Sequence, residues 1–115
     1  ETPAERGPEL SGGVIEGFKL AVQACWVTDP GARWMEVNVV VGFSLDRNAK
    51  VVNNDVRQVA IDGGDAAAQR TAFERARRAV LRCQNTGGGF QLPAESYGRW
   101  KEVEIKFGPK GIGLQ

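Results

Sequence analysis

Residues 35–45 read MEVNVVVGFSL. Met35, Val37, Val39, Val41, Phe43 and Leu45 alternate with Glu36, Asn38, Val40, Gly42 and Ser44. A period of two over this length marks a strand with one buried face and one wetter face. DRNAK at 46–50 is turn-like, and Asn48 can take a positive φ there. A second strand runs from Val51 to Ile61. Its apolar positions are even-numbered early (Val52, Val56) and odd-numbered late (Val59, Ile61), a phase switch that a β-bulge near residue 57 explains. The two strands make a hairpin.

Helices flank this hairpin. Upstream, Ser11 is an N-cap candidate, and Val14, Phe18, Ala21 or Val22, and Cys25 follow at three-to-four-residue steps. That spacing gives one apolar stripe of an amphipathic helix, which DPG at 29–31 ends. Downstream, DGGD at 62–65 closes on a second cap candidate, Asp65. The run AAAQRTAFERARRAVLRC at 66–83 is rich in the helix formers Ala and Arg, and QNTGGG stops it. Pro93 opens a short helical turn. WKEVEIKF at 100–107 alternates again, with Val103, Ile105 and Phe107 on the apolar side, and Pro109 ends this third strand.

The order is helix-strand-strand-helix-strand, an α+β fold. A helical crossover returns the third strand parallel to the second. The first strand then lies between them, giving a three-stranded antiparallel sheet of order 2-1-3 packed against two main helices. The third strand is an edge, regular and free of proline. The other edge carries Asn53-Asn54-Asp55 and the bulge, which discourage pairing. An edge open on one side only suits strand addition by a partner peptide along Val103, Glu104, Ile105, Lys106 and Phe107. Tyr97 and Trp100 read first as core and second as anchors for such a partner.

The composition restricts the chemistry. The 115 residues are 42% apolar and 25% charged, which fits one domain. Residues 1–10, ETPAERGPEL, read as linker from a longer parent, with the domain over 11–115. No apolar run approaches a membrane span. Fifteen Lys and Arg against fourteen Asp and Glu leave a net charge of +1, no basis for binding nucleic acid. The local exception is the five arginines from Arg70 to Arg82, which read as a solvated helix face. There is no histidine, so the usual general base and metal imidazole are missing. Two isolated cysteines fall short of a zinc site and of a CxxC redox motif. The expectation is therefore no catalytic residues, no metal and no cofactor. Cys25 and Cys83 each close the last turn of a helix, on its apolar stripe. The residues leave two readings open there, a pair of buried thiols or a disulfide.

One ordered series resembles a known family. CW at 25–26, L-x-R-x-x-K-V at 45–51, RAVLRC at 78–83, F-x-LP-x-x-x-Y-x-x-W-K at 90–101 and F-x-P at 107–109 resemble the C-terminal periplasmic domain of TolA, in its alphaproteobacterial form. The resemblance covers about residues 11–112. It implies a parent chain anchored in the inner membrane, ending in a periplasmic domain that contacts TolB, Pal and outer-membrane components. The parent's other parts engage TolQ and TolR and couple the proton gradient to outer-membrane integrity and to constriction at division. Phage coat proteins and bacteriocins exploit the same domain in enteric relatives. An oxidising periplasm turns the open question about Cys25 and Cys83 toward a disulfide. Two alternatives stand beside this reading. One is the TonB C-terminal domain, which energises outer-membrane receptors and shares the fold, but opens with YP where this chain has CW. The other is a thiol redox protein using Cys25 or Cys83.

Overall fold

The computed structural model describes residues 3–115; Glu1 and Thr2, the start of the expected linker, lie outside the described residues. The elements in chain order are α1 (Pro3–Arg6), α2 (Gly12–Cys25), β1 (Asn38–Ser44), β2 (Arg57–Asp62), α3 (Ala66–Cys83), α4 (Tyr97–Trp100), β3 (Glu102–Gly108) and β4 (Gly111–Leu114). The fold is α+β. Its sheet is antiparallel throughout but has four strands, in the order β2-β1-β3-β4.

The fourth strand corrects the expected three-stranded sheet. Pro109 does end β3, yet Pro109 and Lys110 are the two turn residues of a tight hairpin. Gly108 pairs with Gly111, and the chain runs back along β3 to Leu114. Glycine serves both sides of this turn. Gly111 holds φ at +106°, and a Cβ on Gly108 would collide with the Asn38 side chain. A four-residue strand with two glycines carries little strand propensity of its own. Its pairing with β3 and the burial of Ile112 hold it in place.

Strand boundaries also shift. Residues 33–36 form a 3₁₀ turn in place of the first strand's start, because Trp34 turns inward beneath Trp26 (ring centroids 6.3 Å apart) and the Val37 N–H bonds to the Trp34 carbonyl. Val51 makes only an isolated bridge to Leu45. Val52–Asn54 form a 3₁₀ turn in which Asn53 and Asn54 have positive φ, so β2 begins at Arg57 and not at Val51. Asparagine tolerates that conformation better than most residues. The bulge is real and sits slightly later than expected. Val40 faces Ala60, Val41 faces Gln58, and Val59 is the extra residue between them. In the 46–50 turn the positive φ falls on Ala49 and not on Asn48. The Asp46 carboxylate sets this turn by accepting from the Asn48 and Lys50 N–H groups.

Both caps form. Ser11 Oγ accepts from the Val14 N–H at 3.1 Å, and Asp65 Oδ1 accepts from the Ala68 N–H at 2.9 Å. The helices α2 and α3 lie on the odd-numbered face of β1 and β3. Val39, Val41 and Phe43 meet Phe107, Ile105 and Val103 there, under Val22, Ala76 and Val80. Each fully buried aliphatic or aromatic side chain in this layer contributes about 1.5–3 kcal/mol. Trp100 is buried and Tyr97 half-buried, its hydroxyl donating to the Leu45 carbonyl at 2.8 Å. Of the segment read as linker, Gly7 and Pro8 are held on the domain by Arg99 Nε and Ser96 Oγ, which donate to their carbonyls.

Cys25 and Cys83 are joined by a disulfide, with Cα atoms 5.7 Å apart, so the ends of α2 and α3 are stapled across the top of the core. The closed loop spans 58 residues, and its constraint on the unfolded chain is worth roughly 4 kcal/mol. Without reductant, neither cysteine should alkylate in denaturant; after reduction, both should. The Cys25→Ala/Cys83→Ala variant should lose about 4 kcal/mol in urea unfolding; unchanged stability would show that the staple constrains nothing.

The Ala68 N–H is the main influence holding the Asp65 carboxyl below its ordinary range, assisted by the neighbouring Arg33 guanidinium. A depressed folded-state pKa stabilises above the unfolded value and loses that stabilisation as pH falls through the folded one. The melting temperature of Asp65→Asn should thus fall below that of the native chain at neutral pH, and the two should converge in acid.

Candidate functional site

The pleat decides which backbone groups β3 offers outward. The Leu45 N–H bonds to the Lys101 carbonyl on the β1 side, and the Gln115 N–H bonds to the Glu104 carbonyl on the β4 side. Along a strand these directions alternate. Odd positions of β3, including Ile105, therefore serve β1, and even positions serve β4. The expected open edge along Val103–Phe107 is occupied from Glu104 onward by the chain's own tail. Ile105 and Phe107 are buried between β1 and β4, and Lys106 lies exposed on the face away from the helices. Of the five sequence-derived residues, Val103 and Glu104 line an apolar groove beside the edge, and Lys106 lies outside it.

That groove, of about 110 Å³, lies at the step where β4 ends beside β3. Leu10, Val14, Ile15 and Phe18 wall it on the α2 side, and Val103 and Leu114 on the sheet side. Arg99, Glu102 and Glu104 stand at its rim. Glu102 is engaged, accepting from Ser44 Oγ at 2.7 Å with Arg57 3.8 Å away. Glu104 is exposed and has no counter-ion among the described residues. Ile15 is 38% exposed, large for an isoleucine on a packed helix.

Two features of this site have sequence signals. Ile15, three residues before Phe18 and seven before Val22, lies on the edge of the α2 stripe, so the helix's apolar face extends beyond what the core covers. Ile112 and Leu114 alternate with glycines, a faint period of two. Leu10 and Leu92 carry no such signal, because only the tertiary fold brings them to the groove.

The sheet's outer edge is now β4. Gly111, Gly113 and Gln115 bond inward to β3, so the N–H and C=O of Ile112 and Leu114 point outward. The edge carries neither proline nor charge within Gly111–Leu114, the devices that usually blunt an edge. Elsewhere, neither sulfur is a free thiol. Among the described residues no cluster of His, Cys, Asp or Glu could hold a metal, and no helix is long and apolar enough to cross a membrane. In comparisons with known proteins, the chain matches no family model, no curated protein and no solved structure.

The ladder parity makes two proline substitutions opposites. Ile105→Pro removes an N–H that the central β1–β3 pairing uses and should abolish cooperative unfolding. Leu114→Pro removes an outward N–H and should leave the melting temperature within about 4 °C of the native chain, on the order of 1 kcal/mol for a domain of this size. The reverse ranking would overturn the assigned register.

Proposed function

We propose that this chain is a non-enzymatic interaction domain of the TolA C-terminal type, working in the periplasm at the end of a parent anchored in the inner membrane. In this role it links the motor proteins TolQ and TolR, through the parent, to TolB and Pal, and so to outer-membrane integrity and division. The observation that carries the reading is the unprotected edge of β4 beside the apolar groove. A partner's extended segment adds there as a fifth strand. Its backbone bonds to Ile112 and Leu114, and an apolar side chain seats against Val14, Ile15 and Val103. A basic residue one position along would lie on the other face, toward Glu104. The ordered motif series through CW, RAVLRC and LP-x-x-x-Y-x-x-W-K supports the family, and a structural disulfide suits an oxidising compartment.

The placement of the edge differs from the one expected from sequence. Strand addition moves outward by one strand, from β3 to β4, while Val103 and Glu104 keep a part as groove wall and rim. Binding of a TolB-type protein to the chain, followed by calorimetry, tests this. Ile15→Glu should weaken it by about tenfold or more, since it places a charge in a desolvated contact, with the melting temperature unchanged. Absence of any binding by the native chain would remove the TolA-type reading. Undiminished affinity in both Ile15→Glu and Leu114→Pro would remove the site.

A further inference from the structure

The arginines of α3 divide into two stripes. Arg70 and Arg77 lie seven residues apart on one, with Glu74 between them. Arg75, Arg78 and Arg82 lie on the other, and all three line a pocket of about 160 Å³ whose remaining walls are Cys25 and Val27. No carboxylate lines this pocket, and no ion pair among the described residues engages any of the three.

Two of the guanidiniums are held by neutral partners. Arg75 stacks over the Trp34 ring at 5.2 Å, and Arg82 Nη1 donates to the Cys25 carbonyl at 3.4 Å. Arg78 is exposed and uncommitted. Like charges gathered without a counter-ion repel one another, and the fold here holds them together by a ring, a carbonyl and a disulfide-locked helix end. The C-termini of α2 and α3 meet at this place and contribute roughly −0.5 charge each. Against three full positive charges, that leaves an excess of about +2, which matches a dianion. Guanidinium forks suit the tetrahedral oxygens of phosphate better than a lone carboxylate.

We propose that Arg75, Arg78 and Arg82 form a binding site for a tetrahedral phosphate dianion, distinct from the groove beside β4. Half-exposed Val27 at the pocket's edge supplies apolar contact to whatever carries the group. The source is either free phosphate or the headgroup of a phosphomonoester lipid, and one experiment separates them. The full chain is titrated with inorganic phosphate while the arginine Nε–H resonances are followed by NMR. It is then floated with phosphatidylcholine vesicles containing phosphatidic acid, or phosphatidylglycerol at matched surface charge.

The site requires shifts at Arg75, Arg78 and Arg82 that exceed those at Arg70 and Arg77. Arg75→Gln/Arg78→Gln should reduce affinity about tenfold, as expected for losing charge-assisted hydrogen bonds, while the charge-matched Arg70→Gln/Arg77→Gln should change it little. Phosphatidic acid vesicles preferred over phosphatidylglycerol would identify a lipid source, and response to phosphate alone a soluble one. Equal losses in the two double variants, or no response to either phosphate source, would overturn the proposal. Neither outcome touches partner binding at β4.

Discussion

Val41 lies opposite Ile105 at the centre of the sheet, and both are fully buried. Residues this far apart in sequence gain nothing from each other until the chain between them has folded. That chain holds the bulged strand β2 and the whole of α3. Because side chains alternate faces, slipping this pairing by one residue would turn Val39, Val41 and Phe43 to water. The register is thus fixed by burial. Everything outward of it inherits the choice, including which β3 carbonyls are left for β4 and which β4 groups are left for solvent.

The disulfide complements that pairing from the other layer. Helices packed on one face of a sheet are free to slide unless something sets their crossing, and stapling Cys25 to Cys83 sets it at the end nearest Trp26. Trp26 in turn packs edge-on to Phe107 and Trp34, so the staple, the indole and the sheet form one continuous contact. Arg75 over Trp34 continues the same chain of contacts to the outer surface of α3.

Much of this was legible in the residues, and the failures share a cause. MEVNVVVGFSL, the stripe of α2, the caps at Ser11 and Asp65 and the phase switch in β2 are strong local signals, and the fold honours them. Met35 and Glu36 fit the strand's alternation but were drawn into a turn by the burial of the neighbouring Trp34 indole, a tertiary event. Asn53 and Asn54 looked like poor strand residues and prove to be turn residues. The segment GIGL was missed because two glycines and a nearby proline read locally as an ending. Its strand character comes almost wholly from β3. The apparent edge followed from that omission, so the partner surface was displaced by one strand while the fold class stood.

Leu10, Leu114 and Gln115 border the same groove. The segment that leads into α2 and the last residues of β4 therefore meet at one groove. In mechanical terms, a pull arriving along residues 7–10 and leaving through a strand laid on β4 would load the bonds of Gly7 and Pro8 to Arg99 and Ser96, the groove and the β3–β4 pairing. The central β1–β3 pairing and the loop closed by the disulfide would stand outside the line of force. If the domain bears load in the proposed role, that route would leave its central core unloaded.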